Sequence, residues 1–551
     1  MDIDRVVDAG VLTWPFAAGR APTDAHDRHL PETLWRQQGN VAFVWFASTE
    51  ASAVASHSNV VHRQLTDIWE TQLRKKLKYT LGAVFGAGAM TLFLGGRAFA
   101  AEEPDPVTVL AQQTSLLWVV LGAVLVVFMQ AGFALVETGF TQKKNANHVM
   151  STNFAIFGLG FVGFLFVGFP LAFSGFSYSA FGLDTPMNGD GLPAIGGEFT
   201  GIFYWSYNHL GNGATPALLG FFFYMVAFMD TVATIPTGAM AERWKWRAFA
   251  QWGLFCGAIY YPIFAAWTWG GGWLAKTWET MDLGAGYVDF AGSGVVHSVG
   301  AVAALAGAIV LGPRIGKFNA DKTANTIPAH NIPFAQLGCF ILLFGWFGFN
   351  AASTFAVSDV QFATVAANTA IAGAVGAVVA MYYMMWFKGG KPDAGMMVNG
   401  MLAGLVAITA PCAFVAPWAA AVIGAIAALI VIEAVYFIEK RGIDDPVGAI
   451  AVHGIGGSFG VLCVGIFANG KYGGAWNGSS VTGVEGVIKG KFGQLGAQAL
   501  GLAVIWTVIF ALAFAFFKIQ NALMKGGIRP DAAMEEEGMD MPEMGAYAYV
   551  D

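Results

Sequence analysis

From residue 115 onward the chain returns repeatedly to apolar stretches long enough to cross a bilayer. They fall at about 115–138, 147–173, 214–240, 247–271, 289–312, 331–354, 361–387, 396–413, 415–438, 446–468 and 494–518. A hydrocarbon core about 30 Å thick is crossed by roughly 20 residues of helix rising about 1.5 Å each. Within that core every backbone N–H and C=O must be bonded inside the protein, so only helices and closed barrels span it. Barrel strands are about 10 residues long and alternate in polarity, which these runs do not. The sequence therefore predicts an all-α polytopic membrane protein with eleven transmembrane helices, its surroundings the lipid bilayer. Hydrophobic residues make up 56% of the chain and charged residues 12%. A soluble fold could not cover so much apolar surface with so few charges. A disordered chain, an ordinary soluble enzyme and a nucleic-acid binder are excluded on the same ground.

The few charges are sorted. With the residue-115 end placed outside, the inner segments carry 15 of the 19 Lys and Arg found beyond residue 100, among them Lys143, Lys144, Arg243, Lys245, Arg314, Lys317, Lys440, Arg441 and Arg529. The outer loops keep Lys276, Lys471, Lys489 and Lys491, and the long loop 174–213 has no basic residue. The positive-inside rule then gives an outer N-terminus and an inner C-terminus. The four cysteines, Cys256, Cys339, Cys412 and Cys463, stand singly in apolar runs and read as buried small residues.

The first hundred residues read differently. Residues 1–72 are polar and aperiodic. A basic cluster at Arg74, Lys75, Lys76 and Lys78 precedes an apolar stretch from Tyr79 to Leu94 and an Ala98-Phe99-Ala100 site, the parts of a secretory signal peptide over 73–100. Such a segment belongs at a chain start, so translation is expected to begin near Leu73. The membrane domain then covers 101–520 and a cytosolic tail 521–551.

Of nine histidines, His297 and His453 sit well inside spans. Both follow an aspartate by eight residues, Asp289 and Asp445, and both have Val before them and Gly three residues after. They open the fifth and tenth spans, which run in opposite senses, the pattern of a 5+5 inverted repeat followed by one extra helix. Eight residues of helix rise about 12 Å, close to the bilayer midplane from either face, so the two imidazoles are expected to meet. Intramembrane ionisable groups are functional candidates by default. The competing account is two helix-packing histidines bonded to neighbouring carbonyls, which leaves the matched contexts unexplained. Asp289 and Asp445 suit helix N-caps, and Asp289 can also bias the outer mouth towards cations. Glu137 and Asp230 read as ties between helices, and Glu433 as a partner of Lys440 or Arg441. No metal-ligand cluster and no nucleotide loop stands out, so no cofactor is expected.

At these residues the chain resembles the ammonium transporter family (Amt/Mep/Rh), and its Amt branch in particular. The resemblance rests on the stretch from Asp289 to His297, on Phe228 through Glu242 and Arg243, on Trp269 with three glycines after it, and on His330-Asn-Ile-Pro. It rests also on Gly345 through Ser353, and on Asp444-Asp445-Pro with His453. It implies a homotrimer in a bacterial inner membrane with one narrow pore per subunit. It assigns ammonium recruitment to Trp269, Ser353, Phe228 and Tyr224, where the family usually has Phe at the Tyr224 position. It assigns a phenyl gate to Phe228 and Phe349 and an ammonia-conducting lining to His297 and His453. The acidic tail resembles a looser form of one that couples subunits and docks PII-type regulatory proteins; Met544-Gly545-Ala546 stands where His-Gly-Glu is common.

The leading reading is therefore an ammonium transporter, with methylammonium as an analogue substrate. An ammonium sensor on the same scaffold is the second; a tail of about 30 residues is short for an output domain. A gas channel like that proposed for Rh relatives is the third. N-terminal sequencing of the mature protein is expected to begin at Ala101, and a first residue within 1–72 would overturn the late-start reading.

Overall fold

Three of the long helices begin where a short polar side chain meets a proline. Asp105 accepts from the Thr108 N–H at 3.2 Å with Pro106 next in line, and Thr215 accepts from the Leu218 N–H at 3.2 Å ahead of Pro216. Asn331 does the same for the Phe334 N–H at 3.1 Å with Pro333 in the first turn. The side chain satisfies an amide that the helix leaves unpaired, and proline loses nothing there because it has no N–H to offer.

The computed structural model describes residues 105–173, 175–184 and 215–550. The readings of 1–72 and 73–100 lie outside these. In chain order the helices are α1 (Pro106–Phe140), α2 (Lys143–Phe173), α3 (Pro216–Ala239), α4 (246–267), α5 (Ser293–Leu311), α6 (Ile332–Thr354), α7 (Gln361–Lys388), α8 (Ala394–Thr409), α9 (Pro417–Lys440), α10 (Ile450–Phe467) and α11 (Gly493–Leu523). Among the described residues, nine of these are long and apolar enough to cross a membrane. The other two are α4 and the 16-residue α8.

Several boundaries differ from the sequence reading by four residues or more, among them the start of α2 at Lys143, the end of α8 at Thr409, the start of α10 at Ile450 and the end of α11 at Leu523; three have a clear local cause. Helix α1 starts at Pro106 rather than 115, because the Asp105 cap carries it through a polar first stretch. It reaches 35 residues, about 52 Å. Helix α4 ends at Trp267 rather than 271, where Gly270 and Gly271 turn the chain, Gly271 at φ +80°. Helix α5 starts at Ser293 rather than 289, since Asp289 to Gly292 form its cap.

Helix α1 packs along α6 and α3, while α7, α8 and α9 form a second group. The first pair touches backbone to backbone: a methyl on Gly338 would lie 2.6 Å from the Gly132 carbonyl oxygen, so any larger residue would separate the helices. Helices α3 and α5 are enclosed almost completely, whereas Phe154, Phe340, Trp386, Phe387 and Leu523 point outward from the surrounding ones. Apolar surface on that scale is stable against lipid.

The basic end is tied by one buried charge cluster. Arg314 donates to Asp444 through its backbone N–H and two guanidinium nitrogens at 2.8–2.9 Å, and it also pairs with Glu242. Arg243 donates to the carbonyls of Gly312 at 2.7 Å and Asp444 at 2.8 Å. These contacts join the end of α3, the loop after α5 and the loop before α10. The tail lies on the same end. Asp540 accepts from the Asn147 and His148 N–H groups at 3.1 and 2.8 Å, and Lys144 donates to the Glu535 and Glu536 carbonyls.

Burial raises the Asp444 carboxyl, but Arg243 and Arg314 outweigh it and hold it at about 2 against an ordinary 3.8. Its contribution to stability is therefore complete above about pH 4 and is lost as pH falls from there towards 2. Asp444→Asn leaves Arg314 with half its partners; a loss of about 3 kcal/mol is expected, read as a lower melting temperature in detergent at pH 7. The gap between variant and parent should close on acidification.

Candidate functional site

The site is built from one local device used twice. Asp289 accepts from the N–H groups of Gly292, Gly294 and Val295, each at 2.8 Å. Asp445 accepts from those of Ala449 and Ile450 at 3.1 and 2.7 Å. Three residues after each aspartate a glycine takes a left-handed conformation, Gly292 at φ +115° and Gly448 at +77°. A wide π-turn follows in each case, Ser293–Ser298 and Ile450–Ile455, and each carries its histidine. A π-turn re-aims the side chains it bears, and such turns recur at functional sites.

The two histidines meet. Their Nδ1 atoms are 3.1 Å apart and their ring centroids 5.1 Å. A hydrogen bond between two like nitrogens needs one proton, so one Nδ1 donates while the other accepts, and the outward Nε2 atoms take complementary roles. His297 is wholly buried, and its ring packs beside Trp346 at 5.3 Å and Phe349 at 5.5 Å, which are themselves 5.9 Å apart.

Above His297, Phe349 stacks on Phe228 at 4.1 Å and 23°, leaving no open bore between the rings. Beyond them lies a cavity of about 530 Å³ whose wall includes Phe228, Trp269, Tyr287, Asp289 and Ser353. The Trp269 ring stands edge-on to Phe228 at 5.9 Å, held by its Nε1–H on the Asp289 carbonyl at 2.7 Å. Ser353 donates to the Phe349 carbonyl at 2.8 Å, which leaves its oxygen lone pairs as acceptors. Aromatic faces and a hydroxyl acceptor suit a small cation that donates hydrogen bonds.

Tyr224 is placed otherwise than expected. It is fully buried and forms no part of the cavity wall. Its hydroxyl lies 3.1 Å from the Ser353 oxygen and 3.0 Å from the Gly348 carbonyl, so the need for acceptors draws the ring behind Ser353. The outer wall holds residues that sequence reasoning missed: Tyr178, Phe355, Tyr472 and Trp476. They come from loops without periodicity. Tyr287, two residues before Asp289, was the one that a motif could have pointed to.

Below His453, Phe133 approaches its ring to 6.3 Å and a second cavity of about 20 Å³ opens, lined by Phe133, Glu137, Asn399 and His453 among others. Glu137 ties α1 to α2 through Asn153 at 2.6 Å and to α3 through Thr237 at 2.8 Å. The Oδ1 of Asp230 is buried with no hydrogen-bond partner. Glu433 pairs with Lys388 at 2.6 Å and with Tyr383 at 2.5 Å instead of Lys440 or Arg441. The reason is geometric: Lys440 and Arg441 lie two turns further along α9, and Arg441 covers Phe437 at 4.8 Å. Among the described residues no group of three His, Cys, Asp or Glu could hold a metal.

The model of the Ammonium Transporter Family matches residues 117–549. The chain is 41% identical over 458 residues to "Ammonium transporter Amt2" of Archaeoglobus fulgidus, covering 82% of this chain and 92% of that protein. It is 32% identical over 451 residues to "Ammonium transporter 1 member 3" of Solanum lycopersicum, covering 79% and 92%. Among solved structures it is similar to "Sensor Amt Protein" with a TM-score of 0.67 and 38% identity, over 79% of this chain and 99% of that one. It also resembles Candida albicans Mep2 with a TM-score of 0.63 and 27% identity, over 79% and 90%. A match of this length, with relatives named as transporters rather than enzymes, places the chain in the Amt/Mep ammonium transporter family.

Proposed function

We propose that this protein carries ammonium across a bacterial inner membrane as a homotrimer of subunits with eleven spans, a 5+5 inverted repeat, outer N-termini and inner C-termini. The observation that carries the reading is the sequence of elements along one line: aromatic cavity, stacked phenyl pair, histidine pair. Ammonium enters the cavity, where Trp269 and Phe228 offer π faces worth about 1–2 kcal/mol and Ser353 accepts an N–H. Asp289, buried beside the mouth, biases it towards cations. Tyr224 acts from behind by fixing the Ser353 hydroxyl. A bare ion in the dry segment would cost tens of kcal/mol by idealised solvation, so ammonium gives up a proton and ammonia passes Phe228 and Phe349. The imidazoles then offer it both a donor and an acceptor. Potassium has no proton to lose and stays in the cavity. Asp445 holds the His453 turn as Asp289 holds that of His297. The tail on the inner face suits coupling between subunits and docking of a PII-type protein.

The match to a sensor Amt structure favours one second reading, in which occupancy of the cavity is signalled rather than carried through. Current recording on proteoliposomes separates the two. Ammonium is expected to give transport and potassium none. His297→Ala and His453→Ala remove hydrogen bonds worth about 1–2 kcal/mol each and should lower methylammonium uptake about tenfold or more. Trp269→Leu should instead weaken apparent affinity by up to about tenfold. Unchanged uptake in His297→Ala would overturn the transport reading; ammonium binding without uptake in the parent would favour the sensor.

A further inference from the structure

We propose that Glu137 is the inner proton-exchange site of the pore, returning a proton to the ammonia that leaves His453. The inference rests on the transport reading above. Glu137 lies one helical turn beyond Phe133, and both line the cavity of about 20 Å³ that His453 closes from the other side. That volume holds about one water molecule, and ammonia is of similar size. The carboxyl is buried, 3% exposed, and its bonded partners are an amide and a hydroxyl rather than a cation. A lysine or arginine partner would lock it as a carboxylate; these do not.

The Thr237 hydroxyl makes both states of the acid tenable. It lies 2.8 Å from each Glu137 oxygen and 2.6 Å from the Thr234 carbonyl. Its single proton can point to Glu137 when that group is a carboxylate, or to Thr234 when the protonated acid donates to the threonine oxygen. Asn153 donates to Oε2 at 2.6 Å in either case. A second observation points to a ligand. Asn399 lines the same cavity, is 6% exposed, and its side-chain oxygen has no hydrogen-bond partner. It is a free acceptor beside an acid, suited to a small species rich in N–H bonds. The titratable groups facing Glu137 are His453 across the cavity and Asp445 at the cap of α10; α2, α3 and α8 contribute Asn153, Thr237 with Thr234, and Asn399.

The step balances simply. The Glu137 O–H bond breaks as an N–H bond forms, giving carboxylate and ammonium. Ammonium donates to the carboxylate and to Asn399 and leaves by the basic end. The carboxylate then takes a proton from the imidazolium of the histidine pair, which received it from ammonium at the cavity. One ammonia and one proton have crossed, so one charge moves per cycle.

The test compares current with uptake on the same proteoliposomes. Glu137→Gln keeps size and hydrogen bonding but holds no exchangeable acid proton. Its ammonium current is expected to fall by at least about tenfold while uptake, read as accumulation of labelled methylammonium, persists and becomes accompanied by lumenal alkalinisation, since ammonia entering without its proton takes one from the lumen. Glu137→Asp keeps the acid and should retain the current. Parent protein that carries ammonium without current, or Glu137→Gln with undiminished current, overturns the inference. So does an equal loss of current and uptake in a monodisperse variant, since a purely structural tie would lower both together. If Glu137→Gln does not fold, Thr237→Val is read by the same criteria, with the same two results expected and excluded. A parent that takes up no ammonium would instead overturn the transport reading itself.

Discussion

The constraint on which the rest of the molecule depends is the cost of a charge in a dry, apolar passage. On the function proposed above, it accounts for a cavity that stops at a closed phenyl stack and for imidazoles, rather than fixed charges, beyond that stack. It explains also why the full charges sit at the basic end. There Arg243 and Arg314 balance Glu242 and Asp444 where the loops before and after the central helices meet. On the function proposed above, an ion is gathered in the cavity and discharged at the basic end, with a neutral molecule and a relayed proton passing between the two.

The central helices solve a second problem with the same parts. Each must start inside the protein, where exposed backbone amides are costly, and each must aim an imidazole at the other. An aspartate two to three turns from its histidine does the first task by accepting several N–H groups. A left-handed glycine and a π-turn do the second. Because the device is used twice, with the same spacing from aspartate to histidine, the two imidazoles are brought to a contact between Nδ1 atoms.

Much of this was legible in the residues. Helix positions follow from apolar run length, and the meeting of His297 and His453 from equal spacing to their aspartates. What stayed hidden has a common character. The π-turns leave no mark in hydropathy. The direction of the Tyr224 ring is set by where Gly348 and Ser353 offer acceptors, which only packing decides. Glu433 finds Lys388 across a helix interface instead of a neighbour in sequence. The outer cavity wall draws Tyr178 and Tyr472 from loops nearly 300 residues apart. Glu137 reads as a helix tie from sequence alone, and only the small cavity beside it shows that the tie faces the passage.

The excess length of α1 has its own consequence. At about 52 Å the helix exceeds the hydrocarbon thickness by roughly 20 Å, and part of the excess lies at the cavity end, where Gln112 holds the Ser179 carbonyl at 3.0 Å. The first turns of α1 thus extend the cavity end beyond the length that the hydrocarbon thickness requires. The surface potential of anionic lipids decays over a Debye length of about 8 Å in physiological salt. A mouth extended in this way samples ions from bulk water rather than from the enriched layer at the head groups. On the function proposed above, capture at such a mouth tracks the ammonium activity of the medium and is buffered against changes in lipid composition.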